Sequence, residues 1–580
     1  MRDLVASIVD ATLDRLIAEG DLPPWPDRPA RRALVDVPKN PDHGDWASNV
    51  ALMTAKLAKR KPQEIAALLR EKLVDPTQAI ASVEIAGPGF LNFRLSLDLF
   101  WNALREVETQ REKFGQTHGN RGKKVDVEFV SVNPTGPMHV GHGRGAVTGD
   151  AIASLLAASG YAVTREYYIN DAGSQIATLA RSVHLRYREL FGEKVEMPED
   201  SYPGEYVTDI AADLKITHGD RFRTAPEAEW LTLFGDFAVD RVLAMIRADL
   251  ATIHIQFDVW FSEKRQLHES GAMTKLLEAF RSRDLVYDKD GAVFYRSTAH
   301  GDDKDRPVVK SNGQLTYLAG DIAYHKDKFD RGFDWCLNVW GADHHGAIPR
   351  MRAAIQDLGY DPNRLRFTLI QIVNLLRDGE PFKMSKRAGT VVGLREVIEE
   401  VGADATRFFF LLRKSDTQLD FDIALAKTQS NDNPVFYVQY GHARLCAILR
   451  KAREQGIAAP TWNLEALRTL TLPEELDLAK RILALPDLIA GAAEALEPHR
   501  LVFYLQETVA AFHGYYTRYK NTEKVIGPDP QKTAARLFLC DSLRQAMANA
   551  LALLGVTAPE RMDRVVDEAS ESVADAADSD

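Results

Sequence analysis

Cysteine is scarce in this chain: Cys336, Cys446 and Cys540 are the three in 580 residues, and they stand far apart. That spacing excludes a disulfide framework and a CxxC-type zinc site. Long apolar runs are missing as well, so nothing has the 18 or more apolar residues a membrane span requires. Solenoid-type repeats are absent. No heptad run points to assembly through a coiled coil. An excess of basic charge is also lacking, for the formal net charge is −11. Alone, that balance argues against a nucleic-acid partner. The last stretch, Asp563 to Asp580, contributes −6 of it through seven acids and one Arg. Phosphate binding needs a local basic face rather than a basic whole, so net charge neither supports nor excludes RNA. A cytoplasmic location is the default these absences leave.

The apolar residues that are present follow regular spacings. Val5, Val9, Leu13 and Leu16 share one face and Gly20 ends the run, which predicts an amphipathic helix rather than a signal peptide. Helical patterns return over NVALMTAKLAKRKPQEIAALLREKL. Strand-like ASVEIAG and FLNFRLS then flank Gly87-Pro88-Gly89. Residues 1–112 therefore read as an α+β module. From Lys123 the texture changes. KKVDVEFVSV reads as a strand, NPTGPMHVGHGRG as a loop, AVTGDAIASLLAASG as a helix and YAVTREYYIND as a second strand. That is a βαβ unit, the start of a parallel sheet. A helical insertion is expected over about 175–255. Strand patterns return at GAVFYRS, DWCLNVWG and LRFTLIQIVNLL, and the α/β region runs to about 430. Beyond it come only helical stripes, such as Val438, His442, Leu445 and Leu449, or Leu501, Leu505, Val509, Phe512 and Tyr516. Residues 431–562 are thus expected to be all helical, and the acidic tail 563–580 disordered.

Two short motifs carry the chemistry. His139-Val140-Gly141-His142 sits where the first strand hands over to a helix. Open α/β sheets bind nucleotides at such junctions, and a helix N-terminus offers free N–H groups to phosphate. Two histidines three apart project to one side of the turn and can donate to phosphate oxygens as charge builds. Gly141 lets the nucleotide approach the backbone, and Pro134 and Gly136 shape the loop before it. The second motif, Lys383-Met384-Ser385-Lys386, lies more than 200 residues downstream in a loop read as 383–390. Two lysines beside Gly389 make a cationic flap suited to β- and γ-phosphates, although KMSKR alone is more often a solvated surface loop.

Together, in this order, the motifs resemble the HIGH and KMSKS signatures of the class I aminoacyl-tRNA synthetases. HVGH carries Val for Ile, and KMSKR departs at the fifth position. The strings VEFVSVNPTGPMHVGHGRGA and KMSKRAGT are similar to the arginyl branch, as are YYINDAG, YPGEY, FDVWFSE and VGADATRFFFL. The resemblance implies a Rossmann-type α/β catalytic domain over 113–430, an N-terminal tRNA-contacting α+β domain and a C-terminal all-α anticodon-binding domain. It also implies ATP as a magnesium complex, with no tightly bound cofactor and no metal held by the protein alone. Partners would be arginine, ATP and the tRNA for arginine, with no membrane.

A guanidinium is planar with five donors, so a selective pocket presents carboxylates. Glu128, Asn133, Tyr317 and Asp321 match the arginyl family's pocket residues, and Asp343 in WGADHHG is a further contributor at a place where that family varies. Tyr317 and Asp321, four apart, share a helical face. Asn170-Asp171 ends the second strand and suits either a substrate group or the cap of the next helix. For RNA, aromatics interleaved with cations stand at Tyr437, Tyr440 and Arg444 and again at Tyr516, Arg518 and Lys520; the bland alternative makes these core tyrosines and a solvated face. Lys56, Lys59, Arg60 and Lys61 offer a basic cluster in the N-terminal module. The expected reaction is ATP-dependent ligation of arginine to tRNA through an arginyl adenylate, without an editing domain. The rivals are another class I specificity and a non-catalytic synthetase-like RNA-binding protein.

Overall fold

Val5, Val9, Leu13 and Leu16 all turn inward on the helix Arg2–Ala18, as their spacing requires. The computed structural model describes residues 1–38, 40–382 and 392–562. The residues fall into two compact units.

One unit holds Met1–Phe114, Leu445–Leu485 and Ala511–Ala546. Its sheet is antiparallel, with strands β1 (Trp46–Ser48), β2 (Ile80–Ala86) and β3 (Phe90–Leu95) in the order β1-β3-β2. The two anticipated strands are β2 and β3. The anticipated helical stretch is two helices, Val50–Ala58 and Pro62–Glu71, divided where Lys59 turns left-handed and Pro62 opens the second. Phe93 and Phe100 anchor the core between helices and sheet. Trp462 donates its indole N–H to the Trp101 carbonyl at 2.9 Å, and Arg468 grips Asp98 with two hydrogen bonds.

The other unit holds Gly115–Arg444, Pro486–Ala510 and the residues from Met547 onward. It contains β4 (Lys124–Glu128), β5 (Ala162–Ile169), β6 (Val259–Ser262), β7 (Val286–Lys289), β8 (Ala292–Tyr295), β9 (Arg306–Val309), β10 (Trp335–Gly341), β11 (Leu365–Ile370), β12 (Val373–Arg377), β13 (Glu380–Pro381) and β14 (Leu419–Asp422). Five of these form a wholly parallel sheet, β11-β10-β4-β5-β6. The order reverses between β4 and β10, so a crevice opens at their carboxyl ends. The helix Val140–Ala158 packs beneath β4 with no room to spare. A Cβ at Gly149 would lie 2.4 Å from the Phe129 side chain.

One expectation needs correction, and two strands take places that their patterns left open. GAVFYRS is a strand as expected, and as β8 it belongs to a separate antiparallel sheet, β7-β8-β9. LRFTLIQIVNLL is two strands. The ladder breaks at Gln371, whose N–H turns to the Ser415 carbonyl and whose carbonyl accepts from Arg144, and β12 then joins β13 and β14. FDVWFSE, read only as a family string, supplies the edge strand β6. The insertion is helical as expected, with Ser174–Glu189, Glu205–His218 and Glu227–Thr252. Among the described residues beyond 430 there is no strand, and the long helices are Pro434–Glu454, Pro473–Ala495, His499–Tyr519 and Pro530–Leu553. Among the described residues no helix is long and apolar enough to cross a membrane. All three cysteines are buried and unlinked. The tail 563–580 lies outside the described residues.

Candidate active site

The chain leaves β4 through two left-handed residues, Val130 (φ 70°) and Ser131 (φ 44°). A β-branched residue rarely accepts that conformation, so local bonds must hold it. Ser131 donates to Glu128 Oε1 at 2.9 Å and accepts from the Tyr168 N–H at 3.1 Å. The Tyr167 hydroxyl fixes the Val132 carbonyl at 2.8 Å, and the Tyr206 hydroxyl fixes that of Thr135 at 2.5 Å. Tyr206 belongs to the YPGEY string, whose place the sequence does not reveal.

This loop delivers the chain to the histidines. His139 is the N-cap of the helix Val140–Ala158, and its Nδ1 accepts from the Gly141 N–H at 3.1 Å. His142 reaches back, its Nδ1 accepting from the His139 N–H at 3.3 Å. The imidazoles therefore cap the helix reciprocally, where Ser and Glu would ordinarily serve. Their ring centroids are 3.4 Å apart. A Cβ at Gly141 would meet the His139 ring at 2.9 Å, so only glycine fits between them. Burial drives the His142 pKa down to about 3, and it also lowers that of His139. Both rings are neutral at pH 7. With Nδ1 accepting, each carries its proton on Nε2, the outward donor. The helix start is pinned from the far side of the second motif. The Val140 N–H donates to Val392 O at 3.0 Å, and the Leu394 N–H to Met138 O at 2.9 Å.

Opposite stands the helix Tyr317–Asp330, capped by Thr316. Tyr317 and Asp321 share one face, as expected, and both line the crevice. Burial, with the charges of Glu128 and Glu263 nearby, pushes the Asp321 pKa up to about 7. Three carboxyls thus converge. Glu263, at the end of β6, is the member sequence reasoning missed; the rule that ligands sit at the carboxyl ends of parallel strands was the signal available. Glu128 is buried and does not line the crevice. Its Oε2 accepts from the buried Lys328 at 2.9 Å, a partner equally unforeseen.

The crevice has a volume of about 1290 Å³, larger than a single small-ligand pocket. It brings together Asn133, Gly136, His139, Gly141, His142, Tyr317, Asp321 and Asp343. Pro134 is buried behind the loop rather than on the lining. Asn133 donates to Gln175 Oε1 at 2.9 Å. Asn170 lines the crevice, but Asp171 does not cap the next helix, whose N-cap is Gly173. Asp171 instead accepts from the Ser262 hydroxyl at 2.5 Å and the Lys264 N–H at 2.8 Å, tying β5 to β6. Lys383, Met384, Ser385 and Lys386 lie outside the described residues.

The RNA candidates stand on the C-terminal helices. Arg444 lies over the Tyr440 ring and donates to its hydroxyl at 3.0 Å, with Tyr437 on the same helix. Tyr516 and Lys520 line a second cleft of about 340 Å³ together with Lys451 and Lys524. Arg518 instead pairs with Glu474.

Three family models match the chain. The arginyl-tRNA synthetase N-terminal domain matches residues 3–95, the class I (R) tRNA synthetase catalytic domain 103–418, and the DALR anticodon-binding domain 438–562. An arginine–tRNA ligase of Anaeromyxobacter sp. strain K is 56% identical over 558 residues, covering 91% of this chain and 93% of its own. That of Syntrophotalea carbinolica is 51% identical over 528 residues, covering 91% and 94%. The arginyl-tRNA synthetase of Thermus thermophilus shares the fold, with a TM-score of 0.74 at 24% identity over 97% of this chain and all of its own. The chain belongs to the arginyl-tRNA synthetase family, a branch of the class I aminoacyl-tRNA synthetases.

Proposed function

We infer that this protein charges its tRNA with arginine at the expense of ATP. The observation that carries the reading is one crevice with donors at one end and acids at the other. Two neutral Nε2–H groups stand on a helix N-terminus, and Asp321 and Tyr317 stand across from them. The first end suits a phosphate, and the second a guanidinium.

The arginine carboxylate attacks the α-phosphorus of ATP, the bond to the bridging oxygen breaks, and arginyl adenylate and pyrophosphate form. His139 and His142 donate to the phosphoryl oxygens as negative charge grows there. Pro134, Gly136 and Gly141 set the approach of the nucleotide. Asn133, Tyr317, Asp321 and Asp343 line the arginine end, and Glu128 supports it from below. Lys383 and Lys386 take the leaving pyrophosphate. The chain that carries them returns at Val392, which is bonded to Val140, and this supports the assignment. Magnesium enters with ATP as part of the substrate. The terminal 2′-hydroxyl of the tRNA then attacks the adenylate carbonyl, and AMP leaves. Positioning and electrostatics carry both steps.

The division of labour follows the sequence reading. Residues 1–112 contact tRNA, 113–430 catalyse, and 431–562 read the anticodon stem. Tyr437, Tyr440, Arg444, Tyr516 and Lys520 face RNA in this reading, and Arg518 joins them by leaving Glu474. The protein acts as a cytoplasmic monomer.

The purified chain, incubated with ATP–magnesium, bulk tRNA and each of twenty labelled amino acids, should charge arginine alone. Charging of another amino acid would replace the specificity, and charging of none would favour an RNA-binding role. His142→Ala should lower turnover by about a hundredfold or more with the fold retained by circular dichroism. Near-normal charging would remove the histidine from its role.

A further inference from the structure

Lys328 lies seven residues after Asp321, two turns along the same helix face. Its ammonium is fully buried and faces three acceptors. Asp126 Oδ2 lies at 2.8 Å, Glu128 Oε2 at 2.9 Å and Asn338 Oδ1 at 3.1 Å. Glu128 and Asn338 are paired across β4 and β10, the two strands that flank the switch point. The lysine therefore clamps the floor of the crevice where the strand order reverses.

The neighbouring charges sharpen the point. Glu166 on β5 is already served by Arg331 at 2.5 and 2.9 Å and by the Tyr324 hydroxyl at 2.7 Å. Asp126 and Glu128 share the ion-pair partner Lys328, and burial pushes the Asp126 pKa up to about 7. A buried ion pair with only a packing role is often replaced by apolar residues without loss. Here the lysine also joins β4 to β10 through Glu128 and Asn338, which an apolar side chain could not do. Each oxygen of Glu128 also retains a lone pair beyond its bonds to Ser131 and Lys328.

We propose that Lys328 is a positioning residue for the arginine end of the crevice: it holds Glu128 in place between β4 and β10. The proposal rests on the arginine pocket described above.

The test is steady-state charging with arginine and ATP varied separately, on folded full-length variants. Lys328→Met should raise the KM for arginine about tenfold or more while the KM for ATP stays within about twofold. Lys328→Arg should restore most of the loss, because a guanidinium can still bridge the two acids. The paired change Asp126→Asn with Lys328→Met removes one charge of each sign and guards against misfolding of the single variant; it should reproduce the arginine defect. Unchanged arginine KM in either folded variant, or equal rises for arginine and ATP, would overturn the positioning role. Asp321→Asn separates the two claims. If it raises the arginine KM while the Lys328 variants do not, only the role of Lys328 falls; if it leaves that KM untouched, the pocket falls and the proposal with it.

Discussion

In the proposed arginine pocket, Asp321 is the residue whose chemistry would bear most directly on binding. Its carboxyl is partly buried near two other acids, and its pKa stands at about 7 rather than the usual 3.8. Below pH 7 the empty site holds a proton there. A guanidinium favours the ionised form, so arginine binding must expel that proton. The sign is therefore fixed: arginine affinity rises with pH up to about 7 and levels off above it, approaching tenfold per unit on the acid side. Calorimetry in buffers of different ionisation enthalpy should show proton release on arginine binding at pH 6 and little at pH 8.5. A flat profile would mean that Asp321 does not meet the substrate. At this scale the sequence reveals polar types but not their depth. Lys328, within HKDKFD, reads like any solvated helix charge, yet its side chain has no exposure. Glu263 looks equally ordinary until the end of β6 brings its charge near Asp321. His139 and His142 are legible because their spacing alone puts them on one turn.

At the scale of elements, the helix Val140–Ala158 shows how close packing positions a site. Gly149 faces Phe129, and Arg144 on the same helix is buried, donating to the carbonyls of Gln371, Lys414 and Thr417 at 2.7 to 3.1 Å. Gly149→Ala adds a methyl where none fits. Its gain in helix propensity of about 1 kcal/mol is outweighed, and a net loss of about 1–3 kcal/mol is expected. A lower thermal midpoint with a raised KM for ATP would confirm that the helix has shifted away from β4; an unchanged midpoint would show that Phe129 yields. This helix and the helical insertion were both legible in the sequence, although the helix is buried on nearly every side rather than along one face. Alternation marked GAVFYRS as a strand without naming its neighbours in β7-β8-β9. It merged β11 with β12 because the break at Gln371 depends on Ser415 and Arg144, which are distant in the chain.

For the molecule as a whole, the net charge of −11 conceals local basic surfaces. Lys451, Lys520 and Lys524 come together at one cleft from segments about 70 residues apart. If phosphates bind there, replacing Lys520 and Lys524 with Ala should weaken tRNA binding and lower the slope of log affinity against log salt by about 0.7–0.9 for each lysine–phosphate pairing removed. With tRNA saturating, the KM for arginine should be unaffected and serves as the control. An unaltered salt slope would return these lysines to the solvated face. The three-part order of α+β, α/β and all-α segments was visible in composition and periodicity, whereas the assembly of distant helical segments into each compact unit was not.

The reciprocal imidazole cap has one more effect. Because both Nδ1 atoms accept backbone N–H groups, that corner of the crevice holds no free basic nitrogen from the pair. Water entering there finds no general base in the two rings, so histidines proposed to steady a mixed anhydride would give its hydrolysis no help.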